Sequence, residues 1–273
     1  MTAPFIISLI GAIALGVAAV FAWAALGRQS RATSAVAGGA ASVGVLANAI
    51  YVGWALADHG PIETFRQYHE ATLLLASLIA AVGVGTRFAP SLRGLDGLLF
   101  LLAALVDLLA LALSSPATAS PGYHGWFISH GLSFAISGAC FMVGGMSAVA
   151  YLIVHRILRR KQGLTLMGKV PSLEALDRFT RWMLTIGFPI FTYGILTGMC
   201  GVAHRKDIEQ TAWYLDPTVL LSAAAWLVYA WLCGSLVLRP QIRGRRAAAL
   251  ATWGMGLVAV AYFLMGWVSP IHR

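Results

Sequence analysis

Charge is scarce in this sequence. Of 273 residues only 11% are Asp, Glu, Lys or Arg, while 59% are hydrophobic. A water-soluble chain carries about 25% charged residues to cover its surface, so a soluble enzyme is excluded. Cysteine is scarce too: Cys140, Cys200 and Cys233 are the whole supply, all within or at the edge of apolar runs and with no C-x-x-C pair. They read as small membrane-core residues, and neither a disulfide framework nor thiol-redox chemistry is indicated. The amino terminus, Met-Thr-Ala-Pro, lacks the positive region of a signal peptide, so the first apolar run reads as a retained helix. No set of nucleophile, acid and base suited to a hydrolase emerges.

What is present is a series of apolar runs of roughly 20 residues, each long enough to cross a bilayer of about 30 Å at about 1.5 Å per residue. Divided at charged or Pro/Gly-rich breaks, they predict eight helices, at about 3–26, 33–57, 68–88, 94–114, 125–157, 178–203, 215–238 and 246–268. The fold class is therefore all-α, a polytopic helical bundle forming one integral membrane domain over residues 1–273. The net charge of +9 comes from basic residues scattered among short loops, without the stripe and interleaved aromatics of a nucleic-acid surface. Membrane orientation accounts for them. If the loops after the first, third, fifth and seventh helices are cytoplasmic, 15 of the 19 Lys and Arg lie there, and only Arg66, Arg205, Lys206 and Arg273 fall outside. The positive-inside rule then places both termini on the extracytoplasmic side.

The largest cytoplasmic loop, residues 161–177, contains Gly163, Gly168 and Pro171 and is too short for a domain. Outside lie a Ser/Pro/Gly-rich stretch at 114–125 and residues 204–217, an amphipathic segment whose Trp213 and Tyr214 suit the headgroup level. No tandem repeat or pair of broken helices supports a secondary transporter. Glycines such as Gly38, Gly39, Gly138, Gly144 and Gly145 read as positions of close helix approach.

Six of the seven histidines, His59, His69, His124, His130, His204 and His272, fall at or near outer helix ends, and only His155 lies inside. An imidazole there is either solvated at the interface or a metal ligand whose second nitrogen is anchored by another group. His130 lies about one turn into the fifth helix and His272 follows the last. Two axial imidazoles from different helices are what a six-coordinate b-type haem requires. His155 has no partner for a second haem at the inner face. Zinc remains an alternative, though no H-x-x-x-H or H-E-x-x-H spacing is present. Two acids interrupt apolar runs. Glu70, near the outer start of the third helix, is expected to pair with another segment or snorkel. Asp107, inside the fourth, calls for a proton or a hydrogen bond to a neighbouring helix, and by itself supplies no proton path.

The run Gly187-Phe188-Pro189-Ile190-Phe191-Thr192-Tyr193-Gly194-Ile195, then Trp213-Tyr214-Leu215-Asp216-Pro217, then Trp226-Leu227-Val228-Tyr229-Ala230, resembles the cytochrome c assembly family (CcsA/HemX-like) in both content and order. Gly244-Arg245-Arg246 opening the last helix, the terminal His272, the His130-Gly131-Leu132-Ser133-Phe134 helix start and the His59-Gly60-Pro61…Glu70 stretch are similar to that family as well. The likeness covers about residues 59–273 and is strongest over 176–246. It implies a haem-handling membrane protein of cytochrome c biogenesis in the cell inner (plasma) membrane. Two external histidines, here His130 and His272, would ligate haem b, held against a tryptophan-rich shelf of which Trp213, Asp216 and Pro217 remain. An apocytochrome c or a partner membrane subunit is the implied partner.

This chain departs from the pattern at the shelf, with Leu215 in place of the tryptophan before Asp216 and Thr218-Val219-Leu220-Leu221 after Pro217. A histidine common in the family after the Trp-Leu-Val-Tyr-Ala segment is also missing near Gly234. With no large external domain, the chain is expected to sit nearer the short HemX-like branch. Two readings follow: a haem-binding protein, or a non-catalytic accessory, assembly or regulatory subunit that keeps the scaffold without haem chemistry.

Overall fold

The computed structural model describes residues 3–28, 30–66, 68–112, 126–159, 170–203, 213–238 and 244–267. Eight helices account for nearly all of them: α1 (Ala3–Arg28), α2 (Arg31–Arg66), α3 (Tyr68–Thr86), α4 (Leu95–Ala112), α5 (Trp126–Arg159), α6 (Leu173–Ala203), α7 (Pro217–Leu238) and α8 (Arg245–Trp267). Seven are long and apolar enough to cross a membrane, and α8 adds a further 23 residues. No strand occurs among the described residues. The chain is a polytopic helical membrane protein.

Local chemistry sets where the helices begin. Ser30 caps α2, its hydroxyl accepting the Thr33 N–H at 3.4 Å, and Ser172 caps α6 through the Ala175 N–H at 3.2 Å. Each satisfies one donor that the first helical turn leaves unpaired. This cap starts α6 at Leu173, five residues before the charged boundary at Arg178 that the sequence suggests, because Leu173 and Leu176 join the core. α2 likewise outruns its expected end. The backbone breaks at Gly60 (φ 78°, ψ 167°), a left-handed conformation open to glycine. Helical structure then resumes to Arg66, the Thr64 hydroxyl donating to the Gly60 carbonyl at 2.9 Å.

The helices pack as two rings of four. In the first, α1 touches α2 and α4, and α3 touches the same two; in the second, α5 touches α6 and α8, and α7 touches the same two. α5 also packs on α2, α3 and α4 and is the most buried span, so it joins the rings. With α1, α3, α5 and α7 antiparallel to their successors, Arg66 at the close of α2 falls on one side, and the ends near Arg28, Arg31, Arg87, Arg93, Arg159, Arg178 and Arg245 fall on the other. There Arg87 pairs with Asp96 at 2.7 Å and donates to the Ser34 carbonyl and hydroxyl, tying α2, the end of α3 and α4 together. The Ser172 N–H reaches the Ser91 carbonyl at the same end. The opposite side is the histidine end.

Candidate functional site

At the histidine end, α5 lies so close on α6 that two glycines one turn apart, Gly194 and Gly198, form its bed. A Cβ at Gly198 would stand 2.6 Å from His130 Nδ1, and one at Gly194 would stand 2.8 Å from Phe134 Cδ2. With both side chains absent, the His130 imidazole rests on the α6 backbone, where Nδ1 meets the Gly194 carbonyl at 2.8 Å. A carbonyl only accepts, so the proton sits on Nδ1 and Nε2 carries the free lone pair. That tautomer, anchored by a backbone carbonyl, is the one metal-ligating histidines adopt, and the bond raises the basicity of the ligating nitrogen.

Phe134, one turn further along α5, lies against the imidazole with ring centroids 4.5 Å apart. From it ring contacts continue through Phe191 (5.2 Å) and Phe141 (5.4 Å) to Tyr229, which stacks on Phe141 at 3.7 Å.

The second corner is the start of α7. Trp213–Leu215 form a single 3-10 turn, followed by buried Asp216, whose Oδ1 accepts the Thr218 N–H at 2.8 Å. Pro217 takes the first helical position, where a missing N–H costs nothing. Asp216 and Pro217 thus make a helix start in their own right. Tyr214 and Leu215 are exposed. Thr218 and Phe134 line one cavity of about 30 Å³, together with Ser137, Phe141, Phe191 and Tyr262. The Tyr262 hydroxyl closes the α8 side by donating to the Phe134 carbonyl at 2.8 Å. The structure therefore brings Phe134, one turn from His130, and Thr218, the residue after Pro217, to the same cavity, while His130, Asp216 and Pro217 themselves do not line it. The backbone of Trp213 lies in the turn before that helix start, its side chain is not described, and His272 lies outside the described residues.

Among the other histidines, His124 and His204 also lie outside the described residues, and of His59 only the helical backbone is described. His155 stacks on Tyr151 at the arginine-rich end. His69 is buried, donating from Nδ1 to the Ala110 carbonyl at 2.9 Å and accepting at Nε2 from the Ser8 hydroxyl at 3.4 Å. Glu70 is buried as well and accepts from the Tyr51 hydroxyl at 3.3 Å, so it pairs with another segment as expected. Asp107 has its interhelical bond: the Asn48 amide nitrogen lies 2.9 Å from both carboxyl oxygens.

Reading the sequence missed the Gly198 bed and the link from Trp226 Nε1–H to the Thr192 hydroxyl at 3.0 Å. The four-residue spacing of Gly194 and Gly198 was the available signal for the first.

Residues 7–272 match the family described as Cytochrome C assembly protein. The chain is 28% identical to "Cytochrome c biogenesis protein CcsA" of Thermosynechococcus vestitus, across 50% of this chain and 53% of that one. The protein of the same name from Guillardia theta is 24% identical, across 50% and 49%. One from a Synechococcus strain is 33% identical across a shorter stretch, 33% of this chain and 24% of that one. The chain spans about half the length of the curated relatives it matches. No solved structure matches it. The chain belongs to the cytochrome c assembly protein family.

Proposed function

We propose that this chain binds haem b at the histidine end, as a haem-handling component of cytochrome c biogenesis in the cell inner (plasma) membrane, with that end extracytoplasmic. His130, through Nε2, and His272 would hold the iron, and Trp213, Asp216 and Pro217 would form the shelf of the site. The observation that carries this reading is the 2.8 Å contact of His130 Nδ1 with the Gly194 carbonyl, which leaves Nε2 to ligate. Among the described residues no three His, Cys, Asp or Glu side chains converge as a protein-ligated metal ion would need. An iron porphyrin brings four ligands of its own and asks the protein for two.

When bound, the group supplies a redox-active iron and, as cargo, a porphyrin to be joined to an apocytochrome c. The chain's own residues hold and orient it. Gly194 aims the imidazole, Gly198 leaves it room, and Phe134 packs against it at a tilt.

The second reading is an accessory or regulatory subunit working with a partner membrane protein. Exposed Leu215, where the family carries a tryptophan, favours it. A visible absorption spectrum of the detergent-extracted protein, after haem supplementation, separates the two. A low-spin Soret band that is lost in both His130→Ala and His272→Ala is the expected result. A colourless, folded preparation that co-purifies with a partner establishes the accessory role instead.

A further inference from the structure

The first helical ring holds a second buried polar construction, away from His130. Asn48 and Asp107 are both fully buried, and no ion pair to Asp107 exists among the described residues. The Asn48 amide nitrogen points at both carboxyl oxygens, while Asn48 Oδ1 is buried without a hydrogen-bond partner. Gly11 of α1 closes over the pair, since a Cβ there would stand 2.3 Å from Asn48 Oδ1. An orphaned buried acceptor beside a carboxyl group is a costly arrangement that one proton would resolve. Turning the carboxamide edge-on to the carboxyl brings Oδ1 beside one carboxyl oxygen while the amide nitrogen stays on the other. A protonated Asp107 then donates O–H to Oδ1, and the amide N–H donates to the remaining carboxyl oxygen. Both groups are satisfied, and no net charge is left inside the membrane.

The surroundings are asymmetric along the helices. Three or four residues toward the arginine-rich end, each contributing helix turns apolar: Leu15 on α1, Gly44 on α2 with Leu15 pressed on it, and Ala103 on α4. One turn toward the histidine end, the same three helices turn polar, with Ser8 on α1, Tyr51 on α2 and the Ala110 carbonyl on α4. His69 and Glu70 from α3 complete that layer. Asp58 lies two further turns along α2. The spacing between the layers is three residues, about 4.5 Å of helix rise. No titratable side chain of α5 takes part. His130 and Cys140 face α6, and Tyr151, His155, Arg156 and Arg159 lie at the arginine-rich end.

We propose that Asn48 and Asp107 form a proton-binding site inside the membrane, loaded from the histidine end through the Ser8–Tyr51–His69–Glu70 layer and closed toward the arginine-rich end. The step is proton transfer alone: the carboxylate takes a proton to become the acid, and release reverses it. The site couples the acidity of one compartment to the packing of α1, α2 and α4, and it does not depend on haem binding at His130.

Infrared spectroscopy of the full chain in phosphatidylcholine vesicles tests it. Carbon-13 aspartate labelling of the unmodified protein should move a carboxylic-acid C=O band, and Asp107→Asn, which keeps an amide-to-amide pair with Asn48, should remove that band without unfolding the protein. On transfer to heavy water the band should exchange, and Tyr51→Phe combined with Glu70→Gln should slow that exchange about tenfold, the effect of one lost hydrogen bond on a barrier. An aspartate signal made only of carboxylate stretches at every pH overturns the site. Exchange as fast in the double variant as in the unmodified chain overturns the route.

Discussion

Asp216 shows how one residue in a family motif can be explained twice. The motif makes it part of a ligand shelf, while its hydrogen bond to the Thr218 N–H makes it the cap that starts α7. The two roles predict different outcomes. Replacing an aspartate cap by alanine costs about 1 kcal/mol, whereas asparagine preserves the cap. Asp216→Ala should therefore lower the thermal unfolding midpoint, and Asp216→Asn should hold it near that of the unmodified chain. If the carboxylate matters only as a cap, Asp216→Asn also keeps any bound pigment. Loss of the Soret band with an unchanged midpoint assigns the charge to the ligand instead. The cap was legible in the sequence, since Asp-Pro before an apolar run is a helix-start signal. The bed under His130 was not, because it depends on the contact between α5 and α6, and Gly198 lies 68 positions away in the chain.

At the scale of the helix, α6 and α7 show why two separate motifs occur together. Pro189 inside α6 offers no N–H to the preceding turn. Three residues on, Thr192 donates to the Phe188 carbonyl at 3.0 Å and accepts from the Trp226 indole at 3.0 Å. Phe188 lies against the same indole. The Gly-Phe-Pro-x-x-Thr run and the Trp-Leu-Val-Tyr-Ala segment are thus two sides of one helix contact. Thr192→Val strands the indole N–H, and Trp226→Phe removes the donor; each should destabilise the protein, the first by about 1–3 kcal/mol. The double variant should lose less than the two separate losses combined, because the pair acts as a unit. Strict additivity in detergent unfolding experiments would falsify the coupling. All eight helices were readable from apolar length, which is set by the bilayer. Their ends were less readable at α2 and α6, where a glycine break and a serine cap, rather than the nearest charge, decide where helical structure stops or starts.

For the whole molecule, the two four-helix rings share one polarity. The turns with Arg87, Arg178 and Arg181 gather at one end, and His69, His130 and Asp216 lie toward the other. Charge bias alone was enough to anticipate this division. The ring arrangement was not, because it depends on which apolar faces fit together, and apolar composition does not distinguish one face from another. The haem reading requires the histidine end to face out of the cytoplasm, and the same orientation decides which compartment loads the proton site. Glu174 at the arginine-rich end and Tyr214 at the histidine end both have exposed side chains. In a background with Cys140, Cys200 and Cys233 replaced, a membrane-impermeant thiol reagent applied to intact cells or protoplasts should label Tyr214→Cys at once. Glu174→Cys should react only after the membrane is opened. The reverse pattern would turn the molecule over, leaving His130 on the cytoplasmic side, where it could not serve an extracytoplasmic apocytochrome, and opening the Asn48–Asp107 pair to the cytoplasm.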